Sequence, residues 1–208
     1  MINDLLDRYP ALTECSDDIR AAVDTLVSCY ERGGKLLLCG NGGSAADCEH
    51  IVGELMKDFL VKRPLGDDLR AAMLERSPDL NESVLDKLQL GLPAISLPSI
   101  TGFNTAFSND RDPELVYAQG VLSLAREGDV LLAISTSGNA KNVLRAAEVA
   151  RGLGITVIAL TGMSGGALRS QSDVCIAVPE RETYKVQELH LCVYHYICAA
   201  VERHFFAN

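Results

Sequence analysis

The sequence predicts an α/β protein with a doubly wound, five-stranded parallel sheet flanked by helices. Two observations carry this prediction. Short apolar runs of strand length alternate with longer stretches of helical periodicity. The short runs are apolar throughout rather than alternating in and out, as expected of parallel strands covered on both faces. A strand–polar turn–helix unit also recurs, at residues 36–59 and 130–151.

The first expected element is a helix over residues 16–32. Ser16 is its expected N-cap, Asp17 and Asp18 favour the positive end of its dipole, and Gly33 is a natural stop. Between them Ile19, Ala22, Val23, Leu26, Val27 and Tyr30 keep the i, i+3, i+4 spacing of a buried face. Residues 35–39 form a first strand, broken by Gly40-Asn41-Gly42-Gly43-Ser44. A helix over about residues 45–59 follows, with Cys48, Val52, Leu55 and Phe59 as its apolar stripe. Residues 62–92 differ in character: prolines and alternating charges and leucines predict a packed excursion of one or two short surface helices.

Residues 94–97 make a second strand, followed by a polar loop through Asn109 and Asp110. Asp112-Pro113-Glu114 starts a helix, with Asp as cap and Pro in the first turn, that ends near Gly128. Residues 129–135 are a third strand, and Thr136-Ser137-Gly138-Asn139 turns into a helix that buries Val143, Ala146, Ala147 and Ala150. Residues 155–160 and 174–178 are the fourth and fifth strands, with a short helix at 165–170 between them. A last helix, about 183–205, buries Val186, Leu189, Val193, Ile197 and Ala200.

At 208 residues the chain suits a single domain, 1–208, and its 48% apolar content excludes a disordered or collagenous protein. A net charge of −9 argues against attraction to nucleic acid or anionic lipid, so neither is an expected partner. The start lacks a signal-peptide pattern, and no apolar run approaches the ~20 residues that span a bilayer. Seven cysteines, an odd number without a C-x-x-C pair, suit reduced thiols, and a cytoplasmic location is expected. Cys29, Cys39, Cys175, Cys192 and Cys198 read as small core residues.

In a parallel sheet, ligands bind outside the carboxyl ends of the strands. Both Gly/Ser-rich turns fall there. Ser135-Thr136-Ser137-Gly138-Asn139 offers hydroxyls and free backbone N–H groups at a helix N-terminus, which suits a phosphate. Neither turn carries the patterns of nucleotide hydrolases or dinucleotide sites. The plainer reading is a tight connection capped by serines.

One turn beyond the first loop, His50 and Glu54 stand four residues apart on one helix face, with Asp47 on the same stripe. That geometry serves a divalent metal or an acid–base couple, the alternative being a solvated stripe. On the last helix, Gln187 and His195 are eight residues apart and so rise about 12 Å from one to the other. If both approach one centre, the geometry is strained or the helices of two protomers meet. His190 reads as a core or surface residue, and His204 as surface.

Gly40-Asn41-Gly42-Gly43-Ser44 with His50 and Glu54, Ser135-Thr136-Ser137-Gly138-Asn139, and Gln187-Glu188-Leu189-His190 with His195 together resemble the SIS-domain sugar isomerases, and among them the phosphoheptose isomerase family. The resemblance covers nearly all of the chain except about residues 62–92. It implies an SIS-type, flavodoxin-like fold in a homotetramer with active sites at subunit interfaces. The implied activity is aldose–ketose isomerisation of sedoheptulose 7-phosphate and a glycero-manno-heptose 7-phosphate through an enediolate. It also implies that Ser44, Ser135, Thr136 and Ser137, with Gly42 and Gly43, hold the substrate phosphate, that Asn41 and Asp110 orient sugar hydroxyls, and that Gln187 contacts substrate. Zinc is the implied cofactor, with His50, Glu54, Gln187 and His195 as ligands. On mechanistic grounds Glu54 is the candidate base and His195 the candidate acid.

The sequence departs from the family pattern at Asp58, where an arginine is usual, at Ala140 in place of serine, at Tyr184 in place of aspartate, and in residues 62–92. Isomerisation of another sugar phosphate is therefore one alternative, and a non-catalytic regulatory or scaffold protein is another.

Overall fold

The structure, a computed structural model, describes residues 2–207. Five strands form one all-parallel sheet: β1 (Leu36–Cys39), β2 (Ala94–Ser96), β3 (Val130–Ser135), β4 (Thr156–Gly162) and β5 (Val174–Val178), in the order β2-β1-β3-β4-β5. The chain therefore reverses direction across the sheet between β1 and β3. Such a switch point opens a crevice at the carboxyl ends of the two strands.

Alternation along each strand divides the core between the two faces. Leu36 and Leu38, Val130, Leu132 and Ile134, and Ile158 and Leu160 point to one side. There they meet α2 (Ser16–Glu31), α3 (Gly43–Met56) and α9 (Thr183–Phe206), with α1 (Ile2–Arg8) outside them. Leu37, Cys39, Leu131, Ala133, Val157 and Ala159 point to the other side, against α7 (Val116–Leu124) and α8 (Lys141–Gly152). Burial on both faces is why the strands are apolar at every position. Among the described residues no helix is long and apolar enough to cross a membrane.

Several boundaries differ from the sequence expectation. Ser16 does not cap α2; a 3-10 turn, Pro10–Cys15, leads directly into the helix, and the Ser16 hydroxyl donates back to the Thr13 carbonyl at 3.0 Å. α3 starts at Gly43 and stops at Met56, because the backbone is extended at Lys57. Phe59 lies beyond that end and packs on the core from the following loop. The expected polar loop after β2 is largely a helix, α6 (Thr101–Asp110), which buries none of its residues. The helix begun by Asp112, whose side chain accepts from the Glu114 amide at 2.8 Å, opens as a 3-10 turn and ends at Leu124 rather than near Gly128. The segment after β4 is a 3-10 turn, Ala167–Gln171. On α9 the buried position is His190, while Leu189 and Ala200 are half-buried. Cys175 and Cys192 are likewise only half-buried, whereas Cys15 and Cys48 join the core.

Residues 62–92 hold α4 (Asp67–Arg76), without a buried residue, and α5 (Glu82–Leu85), which is anchored by Leu85. The excursion is fastened at its start by Arg63, the one arginine among the described residues that is almost fully buried.

Candidate active site at the switch point

At the carboxyl ends of β1 and β3 lies a hollow of about 350 Å³. Asn41, Gly42, Gly43 and Ser44 line it from the first turn, Ser135, Thr136, Ser137 and Ala140 from the second, and Thr183 and Gln187 from α9. Two turns separated by about ninety residues thus form one wall. The hollow collects the N-termini of α3, α8 and α9, and none of these three helices has a side-chain cap. Uncapped N-termini carry partial positive charge and spare N–H groups, so their convergence favours an anion although none of the lining residues is basic.

The turns are held by glycine geometry. Gly42 (φ +56°) begins α3 in the left-handed region. Gly138 (φ +67°) packs so tightly on the Gly165 carbonyl that a Cβ there would collide with backbone. The second turn is further fixed by Asn139, whose side-chain oxygen accepts from the Ala167 amide at 3.0 Å. The two turns are tied together by reciprocal amide hydrogen bonds between Asn41 and Asn142, 2.8 and 2.9 Å long. The Tyr117 hydroxyl donates to the Gly40 carbonyl at 2.8 Å. Gln187 lies directly over Gly43, where a Cβ would strike its amide.

A second group of side chains lies further along α3 and α9. His50 Nε2 is 3.2 Å from Glu54 Oε1 and 3.4 Å from His195 Nε2. On the other side of its ring, His50 Nδ1 is 3.0 Å from the Tyr194 hydroxyl, which is also 3.2 Å from Asp47 Oδ1. If the hydroxyl donates to the carboxylate, it accepts from His50 Nδ1–H, and His50 Nε2 keeps its lone pair. Burial pushes the His195 imidazole down, the neighbouring His50 adds to this, and Glu54 opposes it. Burial raises the Asp47 carboxyl, with Tyr194 and His50 acting against the shift. Lys57 Nζ donates to the outer Glu54 oxygen, Oε2, at 3.1 Å.

Of the residues expected from sequence, Asn41, Gly42, Gly43, Ser44, Ser135, Thr136, Ser137 and Gln187 line the hollow. His50, Glu54 and His195 meet in the second group. Gln187 does not join them. Asp110 lines neither; it ends α6, exposed, and accepts from the Asn109 amide at 2.9 Å. Tyr194, adjacent to His195 in an apolar stretch, carried no sequence signal. Among the described residues no three or more His, Cys, Asp or Glu side chains are arranged as they stand to hold a metal ion. The donor chemistry nevertheless suits zinc: two imidazoles and a carboxylate oxygen turn acceptor atoms towards one another at close range.

Comparison with known proteins decides the family. Residues 98–200 match the SIS domain, and residues 2–91 match a second SIS domain family. The chain is 40% identical to a phosphoheptose isomerase of Roseiflexus sp. over 188 residues, 90% of this chain and 82% of that one. The chain belongs to the phosphoheptose isomerase family. It is 35% identical to the phosphoheptose isomerase of Helicobacter pylori (strain P12), over 99% of this chain and 98% of the relative. Among solved structures, the phosphoheptose isomerase of Francisella tularensis superposes with a TM-score of 0.76 at 31% identity, covering 97% of this chain and 96% of that one. That of Neisseria gonorrhoeae superposes with a TM-score of 0.75, also at 31% identity, with 94% and 90% covered. Membership makes the chain an isomerase.

Proposed function

We propose that the protein interconverts sedoheptulose 7-phosphate and a glycero-manno-heptose 7-phosphate through an enediolate. The observation that carries this reading is the pairing of an anion hollow, built from three helix N-termini, with a histidine–carboxylate group on two of the same helices.

The phosphate would rest against Ser44, Ser135, Thr136 and Ser137. Glu54 would take the proton from one of the two adjacent carbons of the carbonyl end and return it to the other. His195, held neutral by burial and by His50, would move the proton between the two oxygens. Asn41, tied to Asn142, offers an amide to the sugar hydroxyls. His50, Glu54 and His195 would hold zinc when it is bound, and it would supply Lewis acidity to the carbonyl oxygen. A ligating Glu54 or His195 is not free for proton transfer, so the ligand and proton-transfer roles would alternate with substrate.

Gln187 and His195 are about 12 Å apart along α9, too far for one centre within a single copy. The reading therefore includes a symmetric oligomer, a homotetramer, in which Gln187 of one copy approaches the histidine group of another. In an isologous interface such a contact is made twice. Exposed Leu60 and Leu191 line one surface hollow with His195 and suit burial against a second copy. A cytoplasmic location accords with the seven unpaired cysteines.

The test is isomerisation of C5 to C7 ketose and aldose phosphates, with and without added Zn²⁺. The heptose pair is expected to turn over fastest. Glu54→Gln is expected to abolish turnover while the phosphorylated sugar still binds, and near wild-type turnover in that variant would remove Glu54 as the base. Binding without turnover in the wild type would instead assign the chain to the non-catalytic members of the SIS group.

A further inference from the structure

We infer that the buried Arg63–Glu202 pair is the positioning device that sets Glu54 against His195. Both side chains have no exposed surface. Arg63 Nε donates to Glu202 Oε1 at 2.9 Å, and its terminal nitrogen lies 2.8 Å from the same oxygen. The rest of the guanidinium faces α3. Nη1 donates to the Leu55 carbonyl at 2.6 Å, and Nη2, the same nitrogen that faces Glu202, also donates to the carbonyl of Glu54 itself at 3.1 Å.

Those two carbonyls belong to the last turn of α3, where intrahelical donors run out. No left-handed glycine closes this helix end, since Lys57 is extended. Arg63 supplies the donor for the Glu54 carbonyl and a second one for the Leu55 carbonyl, which also accepts from the Leu92 amide at 2.9 Å, together with a positive charge at the negative end of the dipole. Glu202 grips the same segment from the other side, accepting from the Phe59 and Leu60 amides at 2.7 Å each.

The register of α9 links Glu202 to His195. Glu202 follows His195 by seven residues, so it lies on the same helix face, about 10 Å further along. One ion pair thus ties the backbone of the candidate base to the helix face that presents the candidate acid. A buried ion pair is a poor source of stability compared with an apolar pair of similar volume. An apolar pair cannot, however, hold the Glu54 carbonyl at a set distance and orientation. Neither Arg63 nor Glu202 lines the hollow or belongs to the histidine group.

This inference rests on the isomerase reading above, and the test separates the two. The double variant Arg63→Met/Glu202→Leu replaces the pair by apolar side chains, and Glu202→Gln serves as a milder second variant. Wild type and variants are compared for thermal unfolding, for kcat and KM with the heptose phosphate, for exchange of the Phe59 and Leu60 amides, and for the ¹H–¹⁵N signals of the His50 and His195 rings. The expected result is a folded variant with unchanged KM, faster exchange at Phe59 and Leu60, shifted ring signals and a kcat lower by about a hundredfold, as a displacement of about 1 Å at reacting groups produces. Arg63→Lys should not restore kcat, because one ammonium cannot reach Glu202 and both carbonyls together. Folded variants with wild-type kcat and unshifted ring signals would overturn the inference. Absence of turnover in the wild type would overturn the isomerase reading instead, and the ring signals would still report on the pair.

Discussion

Replacing His190 should change how the fold responds to acid. His190 lies on α9 with none of its surface exposed, and neither ring nitrogen has a hydrogen-bond partner among the described residues. Burial pushes its imidazole down from 6.5 to about 4, and the Thr161 backbone, near the ring but outside hydrogen-bonding geometry, opposes this. The unfolded chain therefore takes up a proton at this histidine near pH 6.5, and the native chain refuses it until about pH 4. Between those values the unfolded state binds more protons, so stability falls as the pH falls, by about 1.4 kcal/mol per unit for this one group. Across the whole interval the loss amounts to about 3 kcal/mol. His190→Leu removes this loss and keeps the site apolar. At pH 7 the variant should be as stable as the wild type or more so, since no hydrogen bond is given up. Urea unfolding at fixed protomer concentration, followed by circular dichroism at several values from pH 7 to pH 4.5, measures both chains. The two stability curves should diverge steadily below pH 6.5, with the wild type falling faster. Parallel curves would mean that His190 is protonated alike in both states, and the argument from burial would fail.

Three other substitutions probe the site. Gly43→Ala places a methyl group against the Gln187 amide, a flexible side-chain end; the thermal midpoint should hold while KM for a phosphorylated sugar rises. Gly138→Ala meets both a left-handed backbone and the Gly165 carbonyl, so it should cost about 1–3 kcal/mol in urea unfolding and weaken anion binding with it. Tyr194→Phe removes the hydroxyl that orients His50; zinc affinity, read by competition with a chelator, should fall about 10–100-fold, the usual penalty for losing a group that orients a metal-binding histidine.

Much of this architecture is legible in the chain. The strands stand out because both faces of the sheet are covered, which forces every position in runs such as Leu36-Leu37-Leu38-Cys39 to be apolar. The two polar turns stand out because they interrupt those runs at once, and the structure joins them in one hollow. The eight-residue spacing of Gln187 and His195 left two ways for both to approach one centre, a strained helix or two protomers, and in the structure Gln187 lines the hollow while His195 meets His50. What escaped was short or only half-buried structure. α6 buries no residue, so it reads as a polar loop. α1 is only seven residues long and is cut off by the 3-10 turn that starts at Pro10. Arg63 and Glu202 escaped for the opposite reason: an isolated charge reads as surface, and only the meeting of two distant segments reveals it as core.

The hollow owes its positive character to peptide dipoles, and this sets it apart from the rest of a chain with net charge −9. A phosphorylated molecule meets a repulsive field at long range and an attractive one only on arrival. Dissolved salt screens the first, which acts over distances beyond the Debye length of about 10 Å at 0.1 M, far more than the second, which acts at contact. Raising the ionic strength should therefore speed capture, the reverse of what a lysine-lined cleft would show. Peptide groups also have no ionisable proton near neutrality, so the attraction persists across a pH range in which histidines change charge.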